Sequence, residues 1–137
     1  MILDASNSRL GRLASVAAKK ALLGEEVIVV NCEKAVITGR KKDIVSKYLL
    51  RLELGQPTKG PFFARRPDMF VRRTIRGMVP RKRARGRDAY ARVKCFIGVP
   101  EGLSAQKLET VADADVSRSS TIKFITVKEL CRLIGGR

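Results

Sequence analysis

Val27-Ile28-Val29-Val30-Asn31 is the stretch on which the fold turns. Its four consecutive β-branched residues lack the alternation of a strand with one wet face, so the run reads as a strand covered on both sides. Such a strand belongs to a mainly parallel sheet with helices packed over it. The flanking sequence supplies those helices. Upstream, residues 1–5 are short and apolar and read as a first strand. Ser6, Asn7 and Ser8 offer N-cap oxygens. Leu10, Leu13, Ala14, Ala17, Ala18 and Ala21 then recur at helical spacing, and Gly24 suits the position just past a helix end. Downstream, residues 35–38 form another short apolar piece. Gly39 turns the chain into a helix carrying Ile44, Val45, Tyr48, Leu49 and Leu52.

Gly55, Pro57, Gly60, Pro61 and Pro67 mark a loop. Asp68 stands where it would cap the next helix, with Phe70, Val71, Thr74, Ile75 and Met78 inward and Arg72, Arg73 and Arg76 outward. A short helical turn is expected around Ala89 and Tyr90, and a strand over residues 93–99. Residues 101–120 read as a solvent-facing segment. Residues 122–125 alternate like a strand, and Thr126-Val127-Lys128-Glu129 matches a capping box. Val127, Leu130, Cys131 and Ile134 form the last apolar stripe. Strands separated by helices point to an α/β layered domain. The 137 residues are enough for one domain, residues 1–137, with residues 55–92 as an Arg-rich loop-and-helix insertion.

Charge directs the functional reading. Residues 59–94 hold thirteen Lys or Arg against two acids, Asp68 and Asp88, and so carry most of the chain's formal +16. Eleven of the thirteen fall within residues 65–92, and ten of those are Arg. Cations this dense repel one another until a polyanion neutralises them, and Arg grips phosphate with a two-pronged fork. A solvated basic face is the plain alternative, but two acids leave few internal partners. Hydrophobic content of 45% rules out a disordered basic tail, and Phe62, Phe63, Phe70, Ile75 and Met78 imply that the basic segment docks on its own core. Aromatic content of 5% with no Trp gives little support to single-strand stacking. Grip on the backbone of a folded polyanion fits better. The expected primary contacts are Arg65, Arg66, Arg72, Arg73, Arg76, Arg81, Lys82, Arg83, Arg85 and Arg87. Arg9, Arg12, Lys41, Lys42 and Lys47 are secondary.

Other chemistries find little footing. With no His, the commonest general base and zinc ligand are missing. No C-x-x-C and no Walker-type phosphate loop occurs. No catalysis, cofactor, metal or small-molecule substrate is expected. Asp113 and Asp115 read as a solvated loop rather than a Mg²⁺ pair. Thr38-Gly39-Arg40-Lys41-Lys42 places a Gly turn and cations at a helix start, which suits a solvated end, an RNA phosphate or, more remotely, a nucleotide. A DNA reader and a nucleotide or phosphosugar enzyme remain the rival functions. Cys32, Cys95 and Cys131 lie in apolar surroundings and read as buried reduced thiols of a cytosolic protein. No membrane span or signal peptide is expected.

Gly77-Met78-Val79-Pro80-Arg81-Lys82, then Arg85-Gly86-Arg87, then Val93-Lys94-Cys95-Phe96-Ile97-Gly98-Val99-Pro100, resembles the universal large-subunit ribosomal protein L-thirteen family. Asp4-Ala5, Gly11-Arg12-Leu13-Ala14-Ser15, Val29-Val30-Asn31 and Ile37-Thr38-Gly39 match its opening in order. The matches span residues 1–102, and the Arg-rich region looks like the archaeal and eukaryotic branch. Val79 stands where Leu is commoner. The long basic C-terminal extension of eukaryotic members is not seen, so its contacts are not carried over. The resemblance implies a three-layer α/β/α domain around a small parallel sheet. It also implies a structural, non-catalytic, rRNA-binding role in the large ribosomal subunit and its assembly, in the cytoplasm, with ribosomal RNA and neighbouring ribosomal proteins as partners.

Overall fold

The computed structural model describes residues 1–103 and 105–136. Among them the chain forms strands β1 (Ile2–Asp4), β2 (Val27–Val30), β3 (Val36–Thr38), β4 (Val93–Cys95) and β5 (Phe124–Thr126). The helices are α1 (Leu10–Leu22), α2 (Lys41–Glu53), α3 (Pro67–Met78), α4 (Ala84–Ala91) and α5 (Val127–Leu133). This is a small α/β domain. β2 is the middle strand of a parallel sheet ordered β1-β2-β4, with Ile2 opposite Ile28 and Val27 opposite Val93. Val27, Val29 and Val30 are fully buried, as their uninterrupted β-branched run demands.

All six residues of the apolar stripe on α1 are buried. Small Ala side chains let the helix pack closely on its neighbours. Gly24, at φ 103°, ends the helix: its N–H donates to the Ala21 carbonyl, and the Glu25 N–H donates back to Lys20. That pair of bonds is the Schellman arrangement, and Lys19 and Lys20 in the last turn complement the helix dipole. The start of α1 differs from expectation. Arg9 is the N-cap and makes no side-chain cap bond. The Ser8 hydroxyl turns back to the carbonyls of Asp4 and Ser6 instead, while the Ser8 carbonyl accepts the Val36 N–H.

β3 leaves the parallel sheet. It pairs antiparallel with β5, Val36 opposite Thr126 and Thr38 opposite Phe124. The segment beyond residue 103 is also more than a solvent-facing loop. Glu109 bridges Leu3 in parallel and exchanges backbone bonds of 2.9 Å with Asp4 and Ile2, which covers the outer edge of β1. Ala114 is fully buried in the same core. The strand after α4 is shorter than expected, ending at Cys95.

α3 begins with Pro67, a residue preorganised for a first turn. Asp68 lies inside that turn and pairs with Arg66 at 2.9 Å rather than capping the helix. Phe70, Val71 and Ile75 enter the core shared with α1 and β2, so the basic helix is rooted in the domain. Thr126 is the N-cap of α5, and its Oγ1 accepts the Glu129 N–H at 3.2 Å. The return half of the capping box is absent from the bonds seen there, because the Glu129 carboxylate is engaged with Lys41 of α2. Val127, Leu130, Cys131 and Ile134 are buried as the stripe requires.

The carboxyl ends of β1 and β2 are tied by Asp4. Its Oδ1 accepts from the Ser6 N–H, the Ser6 hydroxyl and the Asn31 side-chain amide at 2.8–2.9 Å. Burial pushes the Asp4 carboxyl up, but these bonds outweigh it and hold the group below its ordinary value of 3.8. A folded-state pKa below the unfolded one stabilises the fold in full above the ordinary value, and that contribution is lost as pH falls through the lower value. Asp4→Asn is therefore expected to give a shallower loss of stability on acidification than the parent, measured by denaturant melts across the acid range. An identical acid limb in both proteins would remove Asp4 from the pH dependence.

Candidate nucleic-acid interface

The basic residues are sorted by the way the chain folds after α3. Val79 is buried, and the chain then turns through Pro80 to Arg83, closed by an Arg83 N–H to Pro80 carbonyl bond of 3.0 Å. α4 starts at once. Gly86 lies so close to this turn that a Cβ there would sit 2.2 Å from the Pro80 oxygen. That contact folds the basic linker back towards α3. The result is an open concavity of about 470 Å³ lined by Arg73, Arg76, Gly77, Arg81, Lys82 and Arg87. None of its five cations forms an ion pair with a carboxylate among the described residues. A concave surface with five cations and no carboxylate partner among the described residues carries a local positive potential that attracts anions.

One of the five is held in place from below. The Arg73 guanidinium lies 4.2 Å from the centre of the Phe63 ring and donates to the Phe62 carbonyl at 2.9 Å. Phe63 in turn packs with Tyr48 and Phe70, at ring-centre distances of 5.6 and 5.8 Å, and those two rings lie 5.2 Å apart. The loop before α3 thus fixes a cation on α3, a link that residue spacing alone did not reveal. The interspersed Phe residues were its only sequence signal.

The other expected contacts fall into distinct places. Arg83 is exposed on the turn, and Arg85 lies beside Lys19, Leu22 and Met78 on the α1 side of α4. Arg12, Lys42 and Lys47 are exposed on α1 and α2. Arg65 is exposed and packs near Gly135 and Gly136. Arg66 is exposed but paired with Asp68, and Lys41 is paired with Glu129. Arg72 and Arg9 are half-buried. Arg72 lies over the Tyr90 ring at 4.7 Å, and Arg9 donates to the Asp113 carbonyl at 2.6 Å. The Nε atoms of both are buried without a hydrogen-bond partner among the described residues.

The Gly39 turn, at φ 134°, does join β3 to α2, and its N–H is taken by the Lys123 carbonyl at 2.8 Å. Among the described residues no three His, Cys, Asp or Glu side chains gather where a metal ion could be held. Among the described residues no helix is long and apolar enough to cross a membrane. Bonding to Cys95 and burial push the Cys32 thiol far up, and burial pushes Cys131 up to about 11. Both are protonated at neutral pH and poorly nucleophilic.

The sequence profile of the family described as Ribosomal protein L13 matches residues 1–102. The chain belongs to the ribosomal protein L13 family. Relatives extend the likeness through the rest of the chain. A large ribosomal subunit protein uL13 from Methanopyrus kandleri is 46% identical over 136 residues, 98% of this chain and 86% of that protein. One of the same name from Archaeoglobus fulgidus is 46% identical over 99% of this chain and 88% of its own length. A third, from Methanosarcina barkeri, is 45% identical over 99% and 98%. These place the chain in the archaeal branch of the L13 family. The concavity, its Gly86 turn and α3 all lie inside the L13 match, whereas Glu109, β5 and α5 lie beyond it.

Proposed function

We propose that this chain is a structural constituent of the large ribosomal subunit, in the cytoplasm, that binds ribosomal RNA and helps the subunit assemble. The observation that carries the reading is the concavity of Arg73, Arg76, Arg81, Lys82 and Arg87, without a carboxylate partner among the described residues, in a chain of the L13 family. Phosphates of separate RNA segments repel, and a rigid array of guanidinium groups lets them approach. Arg83 and Arg85 extend the array on the turn and α4, and Arg65 and Arg66 extend it before α3. Arg12, Lys42 and Lys47 add outlying contacts. Arg72, Arg9 and Lys41 serve mainly by holding neighbouring elements. The whole chain acts as one domain with residues 55–92 as its RNA-binding part, and neighbouring ribosomal proteins adjoin it.

Co-sedimentation before and after a high-salt wash tests the reading. Stoichiometric recovery with the large subunit after the wash is the expected result. A protein that runs free, or with chromosomal DNA, would overturn it.

Phe63 gives a second, finer prediction. Phe63→Leu keeps an apolar side chain but removes the ring face under Arg73, a cation–π contact worth about 0.5–1 kcal/mol. RNA affinity is expected to fall about two- to fivefold with an unchanged salt slope, since no charge is lost. A changed slope would mean that Arg73 has left the phosphate altogether.

A further inference from the structure

The end of α2 and the loop after it present an apolar face that the fold leaves uncovered. Leu50 and Leu54, one helical turn apart, are 59% and 56% exposed, and Phe62 is 71% exposed. Leu54 and Phe62 line one concavity of about 490 Å³ with Pro61 and Arg65. The concavity is shaped by its backbone. The Gln56 and Gly60 backbones exchange bonds of 3.2 and 2.8 Å, and a Cβ at Gly55, where φ is 92°, would lie 2.1 Å from the Gly60 oxygen. Beside it, exposed Arg51 lies between Leu50 and Leu54 in the sequence, with its guanidinium 5.3 Å from the Tyr48 ring centre.

Phosphate explains the cations but not the leucines. Aliphatic side chains offer a base no stacking face, and they gain only when other apolar groups cover them. We propose that this face docks a segment of another protein, with apolar side chains over Leu50, Leu54 and Phe62 and an Asp or Glu side chain reaching Arg51. The inference rests on the reading above, because the partner is a protein of the same particle. It names a surface separate from the anion-binding concavity and a partner chemistry opposite in charge.

Photo-crosslinking in native large subunits tests it, with a benzophenone amino acid placed at Leu54 in one protein and at exposed Ala84, beside the basic turn, in another. The expected result is a link from position 54 to a single peptide that carries apolar residues next to Asp or Glu. That link should fall at least about tenfold when Leu50→Ser and Phe62→Ser are added. Position 84 should link to RNA. If position 54 links to RNA, to a peptide without carboxylates or to nothing while position 84 links to RNA, the docking face is overturned and the ribosomal reading stands. If neither position links and the protein sediments free, both fail.

Discussion

Alanine at Arg76, Arg81 and Arg87 together is expected to flatten the salt dependence of RNA binding by about two to three units of the log–log slope. Each phosphate contact contributes roughly 0.7–0.9 units through released counterions. These three side chains line one concavity and have no carboxylate partner among the described residues, so their removal leaves no buried charge behind. The fold should be untouched, and thermal melts should overlay. Arg72→Ala is the informative contrast. Its guanidinium rests on Tyr90, so its loss should lower stability and change the slope little. Binding of ribosomal RNA fragments across a salt series checks both. A triple variant with the parent slope would remove the concavity from the RNA footprint.

Two glycines on the same stretch are expected to respond to alanine with opposite signs. Both Gly77 and Gly86 lie within helices, where alanine is favoured over glycine by about 0.5–1 kcal/mol. At Gly77 a Cβ would meet nothing within 4 Å, so Gly77→Ala should stabilise by about that amount. At Gly86 it would lie 2.2 Å from the Pro80 oxygen and 2.9 Å from the Arg81 nitrogen. Backbone cannot swing aside as a side chain can. Gly86→Ala should therefore cost about 3 kcal/mol, the upper range for overpacking. It should also pull Arg81 and Lys82 out of register with Arg76, weakening RNA binding without removing a charge. Denaturant melts of both variants measure the signs. Stabilisation by Gly86→Ala would mean that the linker does not pack against α4.

The frame was legible wherever burial alone decided it. The β-branched run of β2, the six-residue stripe of α1 and the stripe of α5 are each placed by periodicity, because each buries one continuous face. What escaped depended on partners distant in sequence. β3 has the composition of a parallel-sheet strand, but its partner is β5, some ninety residues later. Glu109 gives no strand signal, since a lone bridge along an edge needs only backbone. The cations show the same limit. Their density announced a polyanion, yet helical spacing set Arg72 and Arg73 outward like Arg76. Long Arg stems lie back over aromatic rings, and Tyr90 and Phe63 took two of the three. Asp68 looked like a cap because caps are local, but Pro67 was the better first residue and Arg66 the nearer charge.

The pairing of β3 with β5 has a consequence for the chain as it is made. Thr38 and its partner Phe124 are 86 residues apart in order of synthesis. At about 5–20 residues per second, β3 waits roughly 4–17 s for its only ladder partner among the described strands. The edge of β1 waits longer still, because Leu3 and Glu109 are 106 residues apart. Emergence from the exit tunnel thus delivers α1, β2 and the whole basic surface first, and the Glu109 bridge and β5 last. During that interval a positively charged, half-closed domain is already in reach of RNA.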